Sequence, residues 1–219
     1  IVLAPSTVQD MVSLTFKGFE LADKYRMPVM ILADGTIGQM MEPVSLDMGE
    51  VTQYDKSWAL TGTKNERKKN IVNSLCLEPD TLEKQNFARY EKYQKVIDNE
   101  TMYEEYMVDD AEIIVVAFGI ASRVSQNAID EARAKGIKAG MIKPVTLWPY
   151  PKKVLYDLAC KDQTKAFISV ELSMGQMIED VQLATQFKKP VHLVNRAGGM
   201  IPSPEEVLAK IEQINGGAF

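Results

Sequence analysis

The chain has 219 residues, of which 46% are apolar and 25% charged, so it can bury the core of one large domain or two small ones. Its net charge of -5 argues against nucleic acid as a partner, and no apolar run is long enough to predict a membrane span. Two cysteines cannot supply the four thiolates of an iron–sulfur cluster, and a single histidine makes a His-based zinc site or a Ser-His-Asp triad a poor interpretation.

The first 35 residues predict a strand–helix–strand unit. Residues 1–4 are apolar and indicate a buried strand, and Ser6 followed by Gln9 has the spacing of a capping box, so a helix is expected from near Thr7. A second apolar strand is predicted over residues 29–32. Such a unit normally belongs to a parallel sheet. Because the chain starts inside a predicted strand and without Met, we expect that an N-terminal part of the parent protein is missing.

Residues 38–110 differ in composition. The stretch 61–70 is polar and basic, and Pro79-Asp80-Thr81 is a typical helix start. Residues 82–106 are strongly charged and carry only a thin apolar stripe at helical spacing. They predict a long surface helix that straps two domains together.

From residue 111 onward, apolar strands and amphipathic helices alternate. Strands are predicted over residues 113–118, 138–142, 166–170 and 191–194, with a proline-rich loop carrying Trp148 after the second. Ser203, Pro204 and Glu206 combine an N-cap, a proline at the first helical position and a capping-box glutamate. The alternation predicts an α/β fold with a mainly parallel open sheet and helices on both faces.

Parallel sheets bind ligands at the carboxyl ends of their strands. The loops that follow the predicted strands hold polar side chains that could form a ligand or partner surface: Arg123, Thr146, Glu171, Gln176 and Arg196. Ordinary turn chemistry is the simpler interpretation of the same loops. The phosphate-binding patterns G-x-G-x-x-G and G-x-x-x-x-G-K-[ST] do not occur in the sequence.

Several segments carry a family resemblance in the right order along the chain: LAPSTVQDM (3–11), ADGTIGQMMEPV (33–44), WALTGT (58–63), NSL (73–75), AFG (117–119), IKPVTLWPYP (142–151) and ELSMGQM (171–177). They resemble the C-terminal part of the alpha subunit of 2-oxoacid:ferredoxin oxidoreductases, with connector segments like those of the 2-oxoisovalerate (ketoisovalerate) type. The resemblance implies three regions. Residues 1–48 would be the C-terminal remnant of a pyrimidine-binding domain, 49–110 a connector with the long charged helix, and 111–219 a transketolase C-terminal-like domain.

The resemblance further implies oxidative decarboxylation of a 2-oxoacid, with 2-oxoisovalerate the expected substrate, to an acyl-CoA. The parent complex would hold thiamine diphosphate and Mg, with iron–sulfur clusters on other subunits. The partners would be beta, gamma and ferredoxin-like delta subunits, and ferredoxin and coenzyme A would act through the complex in the cytoplasm. The family's activating glutamate lies before residue 1. No catalytic, cofactor-binding or metal-binding residue is therefore assigned, and the isolated chain is expected to be inactive and to bind no cofactor.

Large apolar and methionine side chains near the strand ends predict contact with another subunit, because interfaces favour aromatic and Met anchors. The interface candidates are Asp34, Gly35, Gln39, Trp148, Met174, Gln176 and Met177. Trp148 could instead fill the core of its own domain. The alternative for the whole chain is a stand-alone α/β binding or subunit-interaction domain without any connection to thiamine.

Overall fold

The computed structural model describes residues 1–50 and 52–217. Its strands are β1 (Val2–Leu3), β2 (Met30–Ile31), β3 (Tyr103–Tyr106), β4 (Ile113–Val116), β5 (Ala139–Pro144), β6 (Thr146–Trp148), β7 (Ala166–Glu171) and β8 (Val191–Asn195). Its helices are α1 (Val8–Tyr25), α2 (Pro79–Glu100), α3 (Gly119–Ala134), α4 (Lys152–Ala159), α5 (Met177–Thr185) and α6 (Pro204–Asn215). None of these helices is both long and apolar enough to cross a membrane.

The larger sheet has the order β3-β5-β4-β7-β8, in which β5, β4, β7 and β8 run parallel and β3 is antiparallel to β5. Residues of β4 alternate between two cores. Ile113 and Val115 pack with α3 and α6 on one face, and Ile114 and Val116 pack with α4 and α5 on the other. The predicted α/β fold, with a mainly parallel sheet covered on both faces, is confirmed. Residues 103–217 are called the C-terminal unit below.

The predicted long helix ends earlier than its charge pattern suggested. Helix α2 stops at Glu100, and Tyr103–Tyr106 forms β3 at the sheet edge instead of a last helical turn. The register pairs Tyr103 with Pro144 and Tyr106 with Met141. Local charge therefore indicated a helix, whereas hydrogen bonding to β5, a contact distant in sequence, determines a strand.

The smaller sheet has the order β2-β1-β6 and joins the first strand–helix–strand unit to residues 146–148. Strands β1 and β2 are parallel, as predicted, and β6 pairs antiparallel with β1. The sequence predicted a loop where β6 lies, because its three residues between prolines carry no periodic pattern. Residues 1–42, called the N-terminal unit below, thus share a sheet with a segment of the C-terminal unit.

The N-cap of α1 differs from the predicted one. Thr7, not Ser6, is the N-cap, and its side chain and that of Asp10 form the capping box. The hydroxyl of Ser6 accepts a hydrogen bond from the backbone N–H of Gly119 instead. The sequence spacing identified the correct helix start, but Ser6 is used for a contact between the two units.

Helix α2 is anchored at its C-terminal end. Val96 is fully buried with Ile1, Leu3 and Leu21, and the buried Glu100 carboxylate accepts hydrogen bonds of 2.6 Å from both Lys24 Nζ and Tyr25 Oη. The N-terminal half exposes its apolar side chains. That the helix straps two domains together stays a prediction, as do the boundaries at residues 48 and 110.

The C-terminal core generates a stability prediction. Phe167→Ala should lower the free energy of unfolding by about 3–5 kcal/mol, because it empties a fully buried position between β7 and its covering helices. Phe19→Ala is the matched control. Its ring is 72% exposed, so the loss should stay below about 1 kcal/mol. Urea unfolding of both variants measures the difference, and equal losses would contradict the assigned core.

Candidate functional site

The carboxyl end of β2 meets the start of α3. Asp34 follows β2, and its Oδ2 accepts a hydrogen bond of 2.7 Å from the backbone N–H of Ile120 while its Oδ1 accepts one of 2.9 Å from Ile37. The residue that precedes α3 in the chain is Phe118, which has no side-chain acceptor to offer. Asp34 therefore caps a helix of the other unit, where the partial positive charge of the helix N-terminus stabilises a carboxylate.

Gly119 makes this contact possible. Its φ of 62° lies in the left-handed region, and its N–H donates to the buried Ser6 hydroxyl at 3.1 Å. A Cβ at this position would overlap Asp34 Oδ2. Glycine is thus required both for the backbone conformation and for the close approach of the carboxylate.

An ion pair extends the junction along α3. Arg123 Nη1 lies 2.8 Å from Glu42 Oε1, and Glu42 Oε2 accepts a hydrogen bond of 3.1 Å from the backbone N–H of Val8 at the start of α1. The hydrogen bond from Arg123, followed by that from Val8, lowers the pKa of Glu42. Glu42 therefore connects the first turn of α1 to α3.

Glu171, at the end of β7, organises the neighbouring loop. Its buried carboxylate accepts hydrogen bonds from two serine hydroxyls and from three backbone N–H groups at the start of α5; the donors are Ser169, Ser173, Gln176, Met177 and Ile178. Burial alone would raise the pKa of Glu171, but these hydrogen bonds outweigh it and the pKa is lowered below 4.5. The ionised carboxylate holds the loop and the helix start together.

A cavity of 260 Å³ lies between the two capping carboxylates. The N-terminal unit contributes Leu32, Ala33 and Asp34. The C-terminal unit contributes the start of α3, the end of β7, Leu147, Tyr150 and the first turn of α5. The side chain of Tyr150 is buried in this wall. The cavity thus occupies the strand-end edge where parallel sheets bind ligands.

The polar side chains proposed from the sequence do not converge on one ligand. Arg123 and Glu171 lie at this edge, in the contacts given above. Thr146 is buried and exchanges hydrogen bonds with the backbone of Met102. Gln176 contributes its backbone N–H to Glu171, and Arg196 pairs with Glu206 at the start of α6. Four of the five thus have structural partners of their own, and Gln176 is exposed.

The interface candidates occupy varied environments. Asp34 binds within the chain, Met177 is buried, and Trp148 stacks edge-on against Tyr93 with 5.6 Å between ring centroids. Met174 is 81% exposed, and Gln176 is exposed as well. Gly35 and Gln39 line a second depression beside Met200. Their assignment to a subunit interface stays a prediction.

Ser6 and Glu42 were not predicted to contact the C-terminal unit at this edge. Ser6 was assigned to a local cap, and Glu42 carries no signal of its own for a contact with Arg123. Tyr150 was expected in a strand-end loop, as an apolar group facing another subunit or domain. Only the docking of the two units brings these residues together.

The described residues do not by themselves form a site for thiamine diphosphate with a metal. In residues 1–50 and 52–217, no group of three or more His, Cys, Asp or Glu side chains could hold a metal ion. The two helix N-termini at the junction, which could otherwise bind a diphosphate, are occupied by Asp34 and Glu171. A diphosphate in the same place would meet two carboxylates.

The fold and this edge define a class of α/β protein in which a parallel-sheet unit carries a docked second α/β unit at its strand ends. Residues 1–117 match the family model for the pyruvate flavodoxin/ferredoxin oxidoreductase, thiamine-diphosphate-binding domain, and residues 111–207 match that for pyruvate:ferredoxin oxidoreductase core domain II. The chain belongs to the 2-oxoacid:ferredoxin oxidoreductase family, which confirms the resemblance found in the sequence.

Relatives include the ketoisovalerate oxidoreductase subunit VorB of Methanothermobacter marburgensis, 51% identical over 99% of this chain and 60% of that protein. The 2-oxoglutarate synthase subunit KorA of Methanocaldococcus jannaschii is 31% identical over 94% of this chain and 62% of that protein. A 2-oxoglutarate:ferredoxin oxidoreductase from Magnetococcus marinus shares the fold, with a TM-score of 0.77 and 24% identity over 98% of this chain and 42% of that one. The chain thus spans about 60% of the length of the VorB relatives that it matches.

The close approach of Asp34 to Gly119 predicts that alanine at position 119 destabilises the chain more than alanine at position 136. Gly119→Ala should destabilise the chain by about 2 kcal/mol more than Gly136→Ala, because both alanines bear left-handed strain but only the first displaces Asp34 from α3. A Cβ at Gly136 would meet nothing within 4 Å, which makes it the matched control. Urea unfolding of the two variants measures the difference. Equal losses would show that Asp34 does not constrain Gly119.

The pKa of Glu171 predicts a pH dependence. Its folded-state pKa is lowered, so its contribution to stability is present above its ordinary value of 4.5 and is lost as pH falls through the folded-state pKa. Glu171→Gln should therefore lower the free energy of unfolding by about 3 kcal/mol at pH 7. The difference from wild type should become smaller as the pH falls below that ordinary pKa. Unfolding measured from pH 3 to pH 7 tests this. A gap that does not change with pH would contradict an ionised Glu171.

Proposed function

We propose that this chain is part of the alpha subunit of a thiamine-diphosphate-dependent oxidoreductase that decarboxylates 2-oxoisovalerate to an acyl-CoA and passes the electrons to ferredoxin. The observation that carries the proposal is the 51% identity to a ketoisovalerate oxidoreductase subunit over 99% of this chain. Four archaeal 2-oxoglutarate synthase subunits are 27–31% identical over 83–98% of this chain. This difference supports a branched-chain substrate over 2-oxoglutarate.

In this proposal the chain acts as a scaffold within the complex. Thiamine diphosphate and Mg bind with residues outside this chain, and iron–sulfur clusters lie on other subunits. The partners are beta, gamma and ferredoxin-like delta subunits, with coenzyme A and ferredoxin acting through the assembly. The filled helix N-termini at the junction support this division, because they leave no place for a diphosphate there. A cytoplasmic location is proposed with it, supported by the free thiols of Cys76 and Cys160.

The regions 1–48, 49–110 and 111–219 are proposed as the pyrimidine-binding remnant, connector and transketolase C-terminal-like domain. The overlap of the two family models at residues 111–117 supports the second boundary. The subunit interface is proposed to include Asp34, Gly35, Gln39, Trp148, Met174, Gln176 and Met177. The high exposure of the apolar Met174 side chain supports that surface.

Substrate competition tests the proposal. The complete complex should reduce ferredoxin with 2-oxoisovalerate and coenzyme A, with a kcat/KM at least about tenfold above those for pyruvate and 2-oxoglutarate, because an apolar pocket selects by side-chain size and excludes a second carboxylate. A preference for pyruvate or 2-oxoglutarate would contradict the substrate assignment. A complex without any 2-oxoacid oxidation would favour the alternative of a non-catalytic interaction domain.

The scaffold role has a separate test. Titration calorimetry of the isolated 219-residue chain with thiamine diphosphate and Mg should give no measurable heat of binding, whereas the complete complex should bind both. Micromolar binding by the isolated chain would contradict a role confined to scaffolding.

A further inference from the structure

The cavity at the junction contains a buried polar group that has no partner. The side chain of Tyr150 is 7% exposed, and its hydroxyl finds no hydrogen-bond partner among residues 1–50 and 52–217. Burial, followed by the nearby charges of Asp180 and Glu171, raises the pKa of Tyr150 well above 10, so the hydroxyl stays protonated. Tyr150, Asp180 and Glu171 all line the cavity. A buried hydroxyl without a partner costs stability that a bound ligand would recover.

The wall of the cavity is apolar except for its carboxylates. Apolar side chains come from both units; they are Leu32, Ala33, Phe118, Ala121, Leu147, Val170, Leu172 and Met177. Asp34, Glu171 and Asp180 are the charged residues of the wall, and no basic side chain lines it in the part of the chain that the structure describes. The wall suits a small ligand with an apolar body.

The three carboxylates of the wall differ in whether other groups of the chain bind them. Asp34 and Glu171 each bind backbone N–H groups at a helix N-terminus, so the positions that attract anions are filled. Asp180 stands at the rim and forms no ion pair within the described ranges. Partial burial raises the pKa of Asp180; Lys152 opposes the shift, and Glu179 and Glu171 add to it. The site therefore repels an anion, and Asp180 keeps a carboxylate that no described side chain pairs directly.

We propose that this cavity binds a small primary ammonium ligand with a branched alkyl body, whose ammonium group lies between the Tyr150 hydroxyl and the Asp180 carboxylate. An ammonium donates three hydrogen bonds, so it can supply both groups. The volume of 260 Å³ exceeds the roughly 150 Å³ that suffices for a benzene-sized molecule. The site excludes 2-oxoacids, so it differs from the substrate site of the proposed oxidoreductase and does not depend on that proposal.

Three probes of one shape but different charge test the proposal in the complete complex. Isopentylamine should bind with a Kd of about 1 mM, as suits about six non-hydrogen atoms. Isopentanol should bind at least about tenfold more weakly, and isovalerate should not bind at the same concentrations. With the methionine methyl groups labelled by ¹³C, the Met177 signal should shift on adding the amine while that of Met41, which is 99% exposed, stays unchanged.

Conservative variants separate the two polar contacts. Tyr150→Phe should weaken amine binding about fivefold, and Asp180→Asn about tenfold with loss of the preference for amine over alcohol. The controls are Tyr103→Phe and Glu91→Gln, which alter a tyrosine and a carboxylate outside the cavity wall and should leave the Kd unchanged. Equal binding of amine, alcohol and acid would overturn the proposal. So would a Met177 signal that does not move in the complex because a partner side chain already fills the cavity.

Discussion

The carboxylate of Asp34 at the N-terminus of α3 is the contact on which the arrangement of the chain depends. Asp34 follows the last strand of the N-terminal unit and caps the first turn of a helix of the C-terminal unit. One side chain therefore forms hydrogen bonds in both units. The Ser6 hydroxyl and the Glu42–Arg123 ion pair act on the same helix within two turns. Strand β6 adds backbone hydrogen bonds from the opposite side. The two units are therefore held together by polar contacts at a parallel-sheet edge.

This use of the edge has consequences for function. In open α/β sheets the carboxyl ends of strands usually bind the ligand, often an anion at a helix N-terminus. Here Asp34 and Glu171 fill the helix N-termini that would serve it. Helix N-termini that could bind a ligand instead bind carboxylates of the chain itself. The cavity that remains between these two carboxylates is suited to a cation. The scaffold role proposed for the chain and the ammonium site follow from the same pair of carboxylates.

The parallel sheet could be predicted from the sequence because its central strand, Ile113–Val116, is a continuous apolar run that is buried on both faces. The capping box at Ser203 and Glu206 was also correct, since all its hydrogen bonds are local. By contrast, β3, β6 and the role of Ser6 each depend on a partner far away in sequence. Phe118 lacks a side-chain acceptor, and this left no sequence signal that Asp34, 84 residues earlier, would cap α3.

Hydrogen exchange of two amides tests the docking of the units most directly. The first N–H groups of a helix have no partner within it and normally exchange fast. Those of Gly119 and Ile120 donate to Ser6 and Asp34 of the N-terminal unit. The account predicts that both amides exchange as slowly as those of Ile113–Val116 in the central strand β4. Exchange as fast as in the exposed segment 71–77 would contradict it and show that the two units are not docked through Asp34.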